Sequence, residues 1–116
     1  MAGYRYDHEA DVHVADCSGV LTLAVGIDRV RALQRELSRR PARGGIFKLL
    51  IDFRETIWPE PSVHREMSRV TRDELGLTPD NARVRLAIVN QSWAGQPAAN
   101  ERWFLSSAEA LEWLCR

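Results

Sequence analysis

The chain has little of what would announce a chemistry at sight. It holds two cysteines, Cys17 and Cys115, far apart and outside any metal-type spacing. Neither a disulfide framework nor a thiolate metal cluster is expected, and a cytoplasmic protein with reduced thiols is the default. It lacks net charge, with 16 basic residues against 16 acidic ones, so no global field draws it to nucleic acid or to an anionic membrane surface. No apolar run approaches the ~20 residues that span a bilayer, and integral membrane association is not expected. The first residues, Met1 to Asp7, lack the apolar stretch of a signal peptide. Lysine is almost missing: 15 of the 16 basic residues are arginine. There is no H-E-x-x-H, no P-loop, no G-x-S-x-G and no G-x-G-x-x-G, so no cofactor or metal is expected and the first expectation is a protein that is not an enzyme.

What is there reads as a folded domain. At 116 residues, 45% hydrophobic and 28% charged, the chain is one globular domain by size and large enough for a real core. Tyr4 to His8 is a short candidate strand, and Asp11 to Cys17 alternates polar and apolar residues as a half-buried strand does. Ser18-Gly19 breaks it. Thr22 is placed to cap a helix whose apolar stripe is Leu23, Ile27, Val30, Leu33 and Leu37, ending near Arg40-Pro41. Gly26 weakens its first turn, so the regular helix is expected from Asp28. Ala42 to Gly45 reads as a loop.

Ile46 to Phe53 is apolar but for Lys48 and Asp52, the pattern of a strand covered on both faces. A loop over 54–61 leads to Ser62, a candidate N-cap for a second helix marked by Val63, Met67, Val70 and either Glu74 or Leu75, and closed by Gly76. Thr78 to Asn81 is a turn, Val84 to Val89 a further buried strand, and Gln91 to Asn100 a loop. A last strand near 102–105 enters a helix through the capping box Ser106-x-x-Glu109. This alternation predicts an α/β domain with a mixed sheet of about five strands, parallel at its centre, and three to four helices.

Four stretches carry a family resemblance. They are Gly19-Val20-Leu21-Thr22 entering the first helix, Leu50-Ile51-Asp52-Phe53-Arg54, Val84 to Val89, and above all Trp103-Phe104-Leu105-Ser106-Ser107-Ala108-Glu109-Ala110-Leu111-Glu112-Trp113-Leu114. On these the chain resembles the sporulation anti-anti-sigma-factor-like (STAS-type) superfamily, in particular small bacterial members grouped with both STAS and CRAL-TRIO lipid-transfer domains. The resemblance implies a non-enzymatic binding or regulatory domain that works through a protein partner or as a homodimer. The CRAL-TRIO kinship implies an alternative, a domain that binds a small apolar ligand or a lipid. STAS phospho-switches carry an Asp-Ser motif at the start of the second helix. Here the segment is Pro59-Glu60-Pro61-Ser62-Val63-His64, with Ser62 as the nearest match and the candidate phospho-switch.

Open parallel sheets bind beyond the carboxyl ends of their strands. Asp52, Arg54 and Trp58 follow one central strand and Trp93 follows another, so these four and Ser62 form the candidate ligand- or partner-binding set. The simpler alternative is that both tryptophans close the ends of the core, that Asp52 pairs with Arg54, and that Ser62 only caps its helix. A Ser62, His64 and Asp52 constellation is the one enzymatic arrangement available, although His64 is expected on the exposed side of its helix. Arg31, Arg35 and Arg39 recur at i, i+4, i+8 and read as a solvated face.

Overall fold

In a computed structural model, which describes residues 3–76, 83–90, 97 and 99–116, the element order follows the predicted alternation. It runs β1 (Tyr4–Asp7), β2 (Val12–Asp16), β3 (Gly19–Val20), α1 (Leu23–Arg39), β4 (Phe47–Asp52), β5 (Thr56–Ile57), α2 (Pro61–Glu74), β6 (Val84–Val89), β7 (Glu101–Phe104) and α3 (Ser107–Leu114). The main sheet has five strands in the order β1-β2-β4-β6-β7. β1 is antiparallel to β2, and every other pairing is parallel. β3 and β5 form a separate two-stranded parallel ribbon.

Side chains alternate between the two faces of a strand, and each face has its own core. Leu49 and Ile51 of β4 and Leu86 and Ile88 of β6 pack under Val30 and Leu33 of α1 and Met67 of α2. Leu50, Ala87 and Val89 point the other way, with Val12 and Val14, onto Ala110 and Leu114 of α3. Two helices therefore cover one face and the short α3 the other. Arg85 fixes the end of α3: its guanidinium lies 4.4 Å from the centre of the Trp113 ring and donates to the Trp113 carbonyl at 3.1 Å.

Three local expectations are corrected. α1 starts at Leu23, not Asp28, with the Thr22 hydroxyl accepting from the Val25 N–H at 3.3 Å. Gly26 is helical because α2 crosses there: an added Cβ would stand 2.2 Å from Met67 Sδ. The cap of α2 is Glu60, with Pro61 at the first helical position and exposed Ser62 inside the first turn. Between residues expected as loop, Arg43–Gly45 form a 3₁₀ turn and Thr56–Ile57 form β5. The turn expected at Thr78 to Asn81 lies outside the described residues, as does most of the loop expected over 91–100.

Candidate functional site at the carboxyl rim

β4 and β6 are parallel neighbours, with Asp52 opposite Val89, so the residues that leave them emerge on one rim. The Phe53 N–H donates to the Val89 carbonyl at 2.9 Å, and the Asn90 N–H to that of Phe104 at 2.9 Å. Beyond them opens a cleft of about 480 Å³ lined by Phe53, Arg54, Thr56, Trp58, His64, Asn90 and Leu105. Polar and apolar groups share it.

The β3–β5 ribbon sets the position of Trp58. Gly19 N–H donates to the Glu55 carbonyl and Leu21 N–H to that of Ile57, each at 3.0 Å, while the Thr56 hydroxyl donates to the Cys17 carbonyl at 2.6 Å. Trp58 follows directly. Its ring lies 5.4 Å from that of Phe53 and 4.7 Å from that of His64, centre to centre. The half-buried indole thus closes one end of the core and also walls the cleft. His64 is turned toward this wall and is half-buried, which corrects its expected exposed position. Burial lowers its pKa, and the neighbouring Arg65 charge adds to the effect.

Asp52 and Arg54 form the charged border of the rim. Arg54 Nη2 reaches Asp52 Oδ2 at 2.7 Å and its Nε reaches Oδ1 at 3.0 Å, a two-pronged grip. The Arg54 backbone N–H donates to the same Oδ1 at 3.0 Å. Burial pushes the Asp52 carboxyl pKa up, but the hydrogen bonds and charge of Arg54 outweigh it and leave the carboxyl below its usual value. Nη2 of Arg54 also donates to Ser107 Oγ at 2.9 Å, tying the end of β4 to the first turn of α3.

Of the predicted set, Arg54 and Trp58 line the cleft and Asp52 holds Arg54 beside it. Ser62 does not join them: its hydroxyl donates to Glu60 Oε2 at 3.2 Å. Trp93 lies outside the described residues. Asp52 is held by Arg54 and the Ser62 hydroxyl donates to Glu60, so these two bonds of the Ser62, His64 and Asp52 constellation run to residues outside it. Among the described residues, no three His, Cys, Asp or Glu side chains gather as a metal site, and no helix is long and apolar enough to cross a membrane.

The sequence reading missed the exposed apolar residues of the rim. Val20 and Ile57 are register partners across the ribbon and are 58% and 60% exposed, and Leu105, on the cleft wall, is 70% exposed. Nothing local in the chain marks them, because the pairing of β3 with β5 is what brings the first two together. In comparisons with protein-family models, with curated proteins and with solved structures, no match to this chain was found.

Proposed function

We propose that the chain is a non-enzymatic STAS-like domain that acts by protein–protein interaction through its carboxyl rim, with a second copy of itself as the partner. The observation that carries this reading is exposed apolar surface at the rim: Leu105, 70% exposed, stands on the wall of the cleft with Trp58, and the ribbon that positions Trp58 carries the exposed pair Val20 and Ile57. Exposed aliphatic groups beside an aromatic anchor and an arginine are the composition of an interface centre. A second copy fits the charge pattern. Arg54 and Glu55 are adjacent and exposed, so the rim carries both signs of charge, and a net charge of zero adds no long-range repulsion between copies.

A second reading has its own support. The same cleft, at about 480 Å³, is of a size and mixed polarity that suits a small ligand. Native mass spectrometry of the protein isolated from its own host separates the two. A homodimer that falls apart in the Ile57→Arg, Leu105→Arg double variant supports the interaction reading. A monomer carrying a small molecule released on denaturation supports the ligand reading and ends the first.

A further inference from the structure

A second cavity, of about 150 Å³, lies between α1 and the β1–β2 hairpin. It shares no lining residue with the rim cleft. Its wall is largely apolar, from Tyr4, Ala15, Ala32 and Leu33, with Asp16, Arg35, Glu36 and Arg39 also on the lining. Into it comes Arg29, whose Nε and Nη1 are shut off from solvent and have no hydrogen-bond partner. Arg29 as a whole is half-buried, but N–H groups shut off from solvent without an acceptor are costly and call for a reason.

The acids nearby do not supply the anion, because each is engaged elsewhere. Glu36 pairs with Arg39 at 3.2 Å and with Arg40 at 4.0 Å. Asp16 Oδ1 accepts from the Ser18 N–H at 3.0 Å and from its hydroxyl at 2.5 Å. Asp52 is held by Arg54. Cys17, also on the wall, is a neutral thiol and at most a weak acceptor for Arg29: burial pushes its pKa up to about 11, and the charge of Arg29 and its approach to the sulfur only partly oppose this.

We infer that this cavity is a binding site for a small amphipathic monocarboxylate, its carboxylate on Arg29 and its apolar body between Tyr4, Ala15, Ala32 and Leu33. The size sets the class, since a cavity of about 150 Å³ accepts a molecule as large as benzene. The two unpartnered Arg29 N–H groups, in a space whose wall is mostly carbon, match a single carboxylate on an apolar body.

The probe is benzoate, with neutral benzamide and inorganic phosphate as comparisons, followed by calorimetry and by the Arg29 Nε–H resonance. Benzoate is expected to bind saturably, to shift that resonance, and to outbind benzamide by at least roughly tenfold. Arg29→Met is expected to stay folded, because it removes two N–H groups that have no partner to lose, and to lose benzoate by a similar factor. Ala32→Leu leaves Arg29 in place, fills the space and also abolishes binding. No saturable benzoate binding to the wild type, equal affinity for benzamide, tighter binding of phosphate, or affinity unchanged in Ala32→Leu would each overturn the inference. None of these results depends on the rim, so failure here is distinct from failure of the interaction reading.

Discussion

Gly26 sits in the first part of α1, where alanine is ordinarily worth about 1 kcal/mol more than glycine. Here the preference should reverse. A Cβ would stand 2.2 Å from the Sδ of Met67, which is buried and must be displaced within the core. Gly26→Ala is expected to lower stability by about 1 kcal/mol in urea denaturation, and in a Met67→Ala background the same change should raise it. The sequence shows the weak helix former but not the neighbour that requires it, and so points to Asp28 rather than Leu23 as the start of α1. His13 is a second case. It is buried, hydrogen-bonded through Nδ1 to the Tyr4 hydroxyl at 2.7 Å, and flanked by Tyr6 at 4.9 Å. Burial lowers its pKa; Arg40 adds to this, while Asp11 and Glu36 oppose it. Below its ordinary pKa of about 6.5 the unfolded chain takes up a proton that the folded one refuses, so stability falls as the pH falls. His64 is shifted in the same direction. Denaturation midpoints should therefore decline from pH 7 to pH 5, and a His13→Phe, His64→Phe variant should show a flatter profile than the wild type.

At the scale of elements, two ties decide whether the edges of the sheet stay in place. β7 is held to α2 by Glu101, whose side chain is fully buried and meets Arg72 at 3.0 Å and the Trp103 indole N–H at 2.5 Å. Arg72→Met leaves that carboxylate buried and without its cation, and should cost about 3–5 kcal/mol of unfolding free energy. Among the described residues α3 is the one helix on its face of the sheet, and its Ser106 cap accepts from the Glu109 N–H at 3.4 Å. Ser106→Ala should cost about 1 kcal/mol in the same measurement. The caps Thr22 and Ser106 were legible because a cap is a local pattern of side chain and following turn. β3 and β5 were not, since two residues carry no periodicity and gain their hydrogen bonds only from each other. The start of α2 differs from its expectation for another reason: Ser62 satisfies the residue preference for a cap, but Pro61 already fits the first helical turn and moves the cap back to Glu60.

For the molecule as a whole, alternating strands and helices were enough to specify the mixed sheet with a parallel centre, because helical crossovers between neighbouring strands leave few other arrangements. The same logic placed the rim, and Asp52, Arg54 and Trp58 do stand at the carboxyl end of β4. The apolar part of the rim was hidden, since Val20 and Ile57 become one patch only in the folded chain. The central claim is that this rim joins two copies. It is tested most directly by sedimentation velocity over a wide range of concentration, comparing the wild type with the Ile57→Arg, Leu105→Arg variant and with circular dichroism to confirm that both are folded. The account predicts a concentration-dependent dimer for the wild type and a monomer for the variant. A wild type that stays monomeric at every concentration, or a variant that dimerises equally well, would contradict it.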